Sequence, residues 1–321
     1  MSVALGTPSE RSIDGGRSTV SQFQAAVPAV PCVNLEDQLN SVRTLNIKDI
    51  IVESKLNALP VPQQIEKIVT DFNRNVKDQC IVGAGARAGE RIEPGMFFVC
   101  HMNKVPEIAA GKGDRLTTKM TSGYTETGPI GNKTGIFRQT DPLIGDFGTY
   151  IVNVPQGRYG LIWSGPQPRI LGEGSHVIHD TQFRTETSAK FLVLESTAHI
   201  SHGNVHILRV PVGSFAKITV DTKPMLLPYR QEPYCFDTSL FEFAGFNQTN
   251  EPYIYYGPLH MIRVPAGSVA KVWVGSKPLL LEYRDEPYFF DDPLFRDGSG
   301  STSNKNAMFE SATKKQITHG S

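Results

Sequence analysis

Apolar and polar positions alternate along this chain with two different periods. In Pro62-QQIEKIVTDFNRNV the apolar residues Ile65, Ile68, Val69, Phe72 and Val76 fall at offsets 0, 3, 4, 7 and 11. That spacing is one face of a helix, and Pro62 suits its first turn. Asn34-LEDQLNSV and Asn46-IKDIIVESKLNAL predict two shorter helices, each with Asn as N-cap. From about residue 80 the helical period stops. Short β-branched and aromatic runs then alternate with Gly, Pro, Asn and Asp, which predicts an all-β region.

Within that region the sequence repeats itself. Val205–Phe241 lies over Leu259–Phe295 at an offset of 54 residues without a gap, and 22 of 37 positions are identical. A weaker copy covers Tyr150–Val177 at an offset of 56, matching Val154-Pro155-x-Gly157 to Val210-Pro211-x-Gly213, Pro168 to Pro224 and Leu171 to Leu227. A fourth trace starts at Arg91-IEPGMFFVC, where the Pro94-Gly95 turn and the strand after it survive. One unit predicts four strands, His260–Val264, Val269–Val274, Leu279–Tyr283 and Tyr288–Phe290, separated by Pro-Ala-Gly, Gly-Ser-Lys-Pro and Arg-Asp-Glu-Pro turns. So small a unit exposes too much apolar surface to fold alone, and its neighbours must pack on it.

The expected fold class is therefore mostly β, with tandem antiparallel β-meander repeats of 54–56 residues preceded by a small helical segment. The expected organisation is a structureless N-terminal segment 1–33, a helical segment 34–79 and a β-rich region 80–149 that is itself a divergent repeat. Repeats follow at 150–204, 205–258 and 259–296, then a structureless tail 297–321 rich in Ser, Gly, Asn and Lys.

The succession of apolar strand, Val-Pro-x-Gly, strand, Gly-x-x-Pro, apolar strand and aromatic strand resembles the β-repeats of the major vault protein family. It is also similar to the β-rich start of SPFH (band-7, stomatin-like) domains, most clearly in Val154-PQGRYGLI and Leu171-GEGSH. The resemblance covers about residues 150–296. It implies a scaffold that assembles with like copies, or a peripheral attachment to membranes. The long coiled-coil helix of both families and the SPFH membrane hairpin do not lie within these residues.

Composition narrows the function. Lys+Arg and Asp+Glu are each 32, so the formal net charge is zero, which argues against nucleic-acid binding. No apolar run approaches the roughly 20 residues of a bilayer span. The N-terminus lacks the charged and apolar regions of a secretory signal, and Asn132-Lys-Thr134 and Asn247-Gln-Thr249 are then chance sequons. The cysteines Cys32, Cys80, Cys100 and Cys235 show no C-x-x-C spacing. The reading is a cytoplasmic protein.

Candidate chemistry is sparse. Gly83-AGARAG carries a phosphate-cradling glycine pattern but runs into Glu90-RIEPG, with no helix to hold a pyrophosphate. Gly128-PIGNKT has the wrong spacing for a phosphate loop. His176, His179, His199, His202 and His206 are close in sequence, yet His206 recurs as His260, as a strand position would. The acidic run Asp285, Glu286, Asp291 and Asp292 is broken by two prolines. Cys100 and His101 are adjacent, so a strand points them to opposite faces. No catalytic, cofactor or metal residues are assigned, and no cofactor is expected.

Residues shared by both copies, such as Arg209/Arg263, Lys217/Lys271, Arg230/Arg284 and Glu232/Glu286, belong to the fold. Function is then sought where copies differ. Trp163 and Trp273 occupy a position held by Thr219 in the middle copy, and Tyr253, Tyr255 and Tyr256 lie between copies. These five rings are either exposed anchors for a protein partner or filling between repeats. The leading reading is a non-enzymatic scaffold or adaptor that binds proteins or self-associates, with a homo-oligomer as one form. The alternatives are a peripheral SPFH-like membrane scaffold and an enzyme whose site lies in 80–150, with Lys112–Thr127 as a lid.

Overall fold

A computed structural model describes residues 34, 37, 40, 42–75, 92–102, 105–112, 136–146, 148–185, 191–297 and 308–313. The first elements are α1 (Ile47–Ile50), β1 (Ile51–Val52) and α2 (Val61–Phe72), followed by β2 (Met96–Met102), β3 (Val105–Ala110) and β4 (Ile136–Arg138). Repeat 1 contributes β5 (Leu143–Asp146), β6 (Thr149–Val154), β7 (Arg158–Ser164), β8 (Gln167–Leu171), β9 (Gly174–His179), β10 (Arg184–Thr185) and β11 (Leu192–Leu194). Repeat 2 contributes β12 (His199–His202), β13 (Val205–Leu208), β14 (Ser214–Val220), β15 (Lys223–Pro228), β16 (Tyr234–Asp237) and β17 (Phe241–Gln248). Repeat 3 contributes β18 (Tyr253–Tyr256), β19 (Leu259–Ile262), β20 (Ser268–Val274), β21 (Lys277–Glu282), β22 (Tyr288–Asp291), β23 (Arg296–Asp297) and β24 (Phe309–Ser311). The chain is mostly β, in small antiparallel sheets set in tandem.

Each structural repeat starts one strand before the bounds expected from sequence, at β5, β12 and β18, because that strand pairs with the first strand of the copy, and its strands are shared between two sheets. In repeat 2 these are β12-β13-β16 and β15-β14-β17; in repeat 3 they are β18-β19-β22 and β21-β20, extended by β23 and β24. Repeat 1 follows the same plan, with β5-β6-β9 and β8-β7 extended by β10 and β11. The β3-β2-β4 sheet reproduces the second half of this plan upstream, on the strand after Pro94-Gly95.

Successive sheets stack face to face, and a central strand that lies between two neighbouring sheets feeds two cores by parity. On β14, Phe215 enters the core shared with repeat 3, whereas Ala216, Ile218 and Val220 enter repeat 2's own. On β7, Tyr159 and Leu161 face repeat 2 and Ile162 faces inward. On β19, Leu259 and Met261 face repeat 2 and Ile262 faces inward. Burial on both faces explains why apolar residues occupy adjacent positions in these strands, as at Leu161-Ile162, Phe215-Ala216 and Met261-Ile262.

Residues 42–75 form a strap along one margin of the stack, running against chain order. Leu45 bridges to Cys235 on β16, and β1 pairs in parallel with β8. Ser54 Oγ donates to the Ser175 carbonyl at 2.6 Å on β9. Helix α2 then buries Ile68 and Phe72 against Phe97, Val99, Ile108, Ile144 and Ile151. Beyond it, Asn73 Nδ2 donates to the Ile108 carbonyl and its Oδ1 accepts from the Ile108 amide, as a neighbouring strand would. The strap thus covers the outer strands β16, β8, β9 and β3, edges that would otherwise template aggregation. Further along, Pro224 and Pro228 lie on β15, where proline removes ladder donors.

Three expectations meet different outcomes. The helix at 62–76 is present as α2, closed by a 3-10 turn over Asn73–Asn75. The helix expected from Asn46 starts with Asn46 accepting from the Lys48 amide, but it ends at Ile50, because pairing with β8 takes Ile51 and Val52 into a sheet. The tail expected to be structureless supplies β24, paired with Ser268–Ala270, and Met308 is fully buried. In repeat 2 the equivalent strand β17 is continuous, pairing Ser214 through Val220. In repeat 3 it is split into β23 and β24, which is why the sequence repeat fades after Phe295. The helix expected at Asn34–Val42 and the segment 1–33 fall largely or wholly outside the described residues.

Candidate functional site

The stack has joints between repeats and two rims made of turns. The joints are specific. At the first, Gly203 closes the β12–β13 hairpin with φ +61°, and a Cβ there would lie 2.9 Å from both the Trp163 ring and Pro168. His202 Nε2 donates to the Ile162 carbonyl at 2.7 Å. At the second joint, Gly257 (φ +58°) takes the place of Gly203 and Pro224 that of Pro168. Thr219 and Tyr256 hydroxyls meet there at 2.7 Å. The first joint also holds a polar chain in which the Tyr159 hydroxyl donates to Glu195 at 2.8 Å and accepts from Arg209. Burial, helped by Glu195, pushes the Tyr159 phenol up to about 12.

Inside the repeats one aromatic stack recurs. Tyr150 on Phe183, His206 on Phe241 and His260 on Phe295 have ring centroids 4.2, 4.2 and 4.1 Å apart. His206 Nδ1 faces His199 Nε2 at 3.4 Å, and His260 Nδ1 accepts from the Tyr253 hydroxyl at 2.8 Å. Desolvation drives both His206 and His260 down to about 4. These imidazoles are neutral packing elements. Among the described residues, no three His, Cys, Asp or Glu side chains converge as a metal site.

The first rim contains the loops Arg230–Pro233 and Arg284–Pro287. Each arginine donates to two carbonyls of its own loop, Glu232 and Pro233 or Glu286 and Pro287, and lies over a tyrosine ring, 3.7 Å from Tyr234 or 3.6 Å from Tyr288. The recurring Arg-x-Glu-Pro-Tyr is thus a self-locked turn. It presents Tyr229 and Tyr283, both about half exposed. The second rim contains the β14–β15 and β20–β21 turns and the segments Thr238–Leu240 and Asp292–Leu294.

The five rings named from sequence are distributed unevenly. Trp163 packs on the Gly203 hairpin beneath Arg184, whose guanidinium is 4.9 Å from its ring. Trp273 has Arg296 at 5.4 Å in the same relation. Tyr253 is only 7% exposed, because it packs in the repeat core with Ile262, Phe290 and Phe295, so it is no surface anchor. Tyr256 packs against the joint, and Tyr255 is half exposed. The segment carrying these tyrosines is strand β18 rather than a linker. Sequence reasoning passed over the exposed Val212, Tyr229, Tyr283, Leu240 and Leu294; an apolar residue recurring inside a turn was the available signal.

Among the described residues, open clefts lie along the strap. One of about 550 Å³ lies between Val42–Leu45 of the strap, the Val220–Lys223 turn and Phe236–Thr238. Another, about 420 Å³, lies between the strap, α2 and β9. Neither aligns a nucleophile with a base and an orienting group. The Gly83–Gly89 and Gly128–Thr134 loops and the Lys112–Thr127 lid lie outside the described residues, apart from Lys112. So do the Cys100 and His101 side chains.

No family model matches the chain, and no solved structure matches it. Two curated proteins are similar to it over most of its length, both from Dictyostelium discoideum. Vacuolin-B is 27% identical over 326 aligned positions, covering 97% of this chain and 53% of its own length. Vacuolin-A is 27% identical over 291, covering 85% and 47%. The chain spans about half the length of the curated relatives it matches. These vacuolins are associated with vacuolar and endosomal membranes, so the expectation of a simply cytoplasmic protein is corrected.

Proposed function

We propose that the chain is a non-enzymatic β-repeat scaffold working at the cytosolic face of a vacuolar or endosomal membrane, where it binds like copies or protein partners. The observation that carries this reading is the stack itself. Paired sheets joined by hairpin-into-groove contacts give a long stiff body with two turn-lined rims, a shape suited to repeated weak contacts. The similarity to the vacuolins extends over nearly the same residues and supplies the membrane. The attachment in this reading is peripheral; among the described residues no helix is long and apolar enough to cross a bilayer. The resemblance to vault and SPFH repeats supports the assembly part of the reading.

Cell fractionation with light scattering tests it. The expected outcome is a protein that sediments with vacuolar or endosomal membranes, is released by carbonate and runs well above 35 kDa after release. A monomer confined to the soluble fraction would end the proposal.

A further inference from the structure

The second rim carries a feature that the first repeat lacks. Leu240 is 60% exposed and Leu294 is 66% exposed, and they hold the same place in repeats 2 and 3. Repeat 1 has Gln182 there. Isolated surface leucines are ordinary. Two at one repeated position, on rigid turns of one rim, form a pattern. Two sheet spacings separate them, about 20 Å.

Both turns are locked. The Leu240 amide donates to Thr238 Oγ1, and the Leu240 carbonyl accepts from the Asp221 amide. The Leu294 amide donates to Asp292 Oδ1, while Asp292 Oδ2 accepts from the Gly275 amide. Phe241 and Phe295, the next residues, enter the aromatic stacks, so their leucine neighbours project outward on a fixed base. The carboxylates of this rim hold the turns together. Asp221 accepts from Thr238 and Asp237 from Asn204, as Asp292 does from Gly275 and Leu294. Lys223 and Lys277 begin β15 and β21 beside the same turns, with stems long enough to reach the phosphates of lipid headgroups.

We propose that this rim is the face that rests on the membrane, with Leu240 and Leu294 entering the bilayer interface and the two lysines at headgroup level. The inference rests on the membrane reading above. Because the rim is apolar at its tips and mixed in charge around them, the surface it fits is zwitterionic phospholipid, with little dependence on anionic lipid or on salt. One copy binds weakly, and linked copies multiply the contact.

The test is co-sedimentation of the full chain with phosphatidylcholine vesicles, with and without phosphatidylserine, at low and high salt. The double variant Leu240→Ser/Leu294→Ser is expected to lose vesicle partition by about tenfold or more. Val212→Ser/Tyr229→Ser, on the opposite rim, is expected to keep it; circular dichroism confirms that both variants fold. Binding that survives the leucine variant, or that falls with the Val212 variant, overturns the rim while leaving the membrane reading intact. Binding that requires phosphatidylserine and vanishes in salt overturns it in favour of an electrostatic surface. A wild-type chain that ignores vesicles but fractionates with membranes in cells makes these leucines a protein contact and overturns the lipid assignment.

Discussion

Repeats 2 and 3 share 22 of 37 aligned residues and the same paired-sheet plan, yet one is enclosed and the other ends the described stack. Leu226 and Leu280 are aligned, on β15 and β21. The first is 1% exposed and the second 42%. The identity of a residue set the strand and its parity; the neighbouring sheet decided whether the outward side chain was buried. Position 226 belongs to a core completed by Ile254, Leu259 and Met261 of the next repeat. Stability in such a stack resides as much in the joints as in the repeats.

The sharpest way to break this comparison is a matched truncation. Leu226→Ala is expected to cost about 3 kcal/mol through the cavity it leaves, and Leu280→Ala under about 1 kcal/mol. Chemical denaturation of the two variants reads the difference, and equal losses would mean that the joint adds nothing.

Acid sharpens the comparison next. His206 and His260 are 7% and 9% exposed, with pKa values lowered from 6.5 to about 4. A depressed histidine contributes stability that is complete above pH 6.5 and is lost as pH falls toward 4, because the unfolded chain takes the proton first. Each costs roughly 2–3 kcal/mol by pH 4. Tyrosine already serves at this position in repeat 1, as Tyr150 on Phe183. The double variant His206→Tyr/His260→Tyr is expected to flatten the dependence of melting temperature on pH between 6.5 and 4. An unchanged slope would place the acid sensitivity elsewhere.

The smallest effect concerns one turn. Repeat 2 bends through Asp221 and Thr222 at φ +49° and +70°, where repeat 3 uses Gly275 followed by Ser276. A β-branched residue is strained there. Thr222→Gly, which retains the Asp221–Thr238 contact, is expected to stabilise the protein by about 1 kcal/mol. A lower melting temperature would show that the strain is offset by a contact of the threonine.

The strands of the repeats were legible because β14 and β20 set apolar and β-branched residues between Pro-x-Gly and turn residues, with Ala216, Ile218 and Val220, or Ala270, Val272 and Val274, on the face toward the repeat's own core. Helix α2 was legible from its period. Partnering was harder to read. Strands β12 and β18 carry weak signals of their own, since polar rings occupy strand positions whose packing depends on Phe241 and Phe295 far along the chain. The strap was misread in part because Ile51 and Val52 take their conformation from β8, 119 positions away in the ladder Ile51↔Ile170. As for the site, the five rings stand out as aromatic and unshared, but Tyr253 is interior because His260 and Phe295 of its own repeat enclose it. The leucines of the second rim were passed over because they recur, and recurrence had been read as structural.

Since strands such as β7, β14 and β19 send alternate side chains to two different cores, adding or removing one residue within one of them would exchange the contents of both. Length is therefore a more dangerous variable than identity in this molecule. Copies that differ in composition keep their strands in step. A gene of this kind can be edited by substitution almost anywhere, but by insertion only at its punctuation.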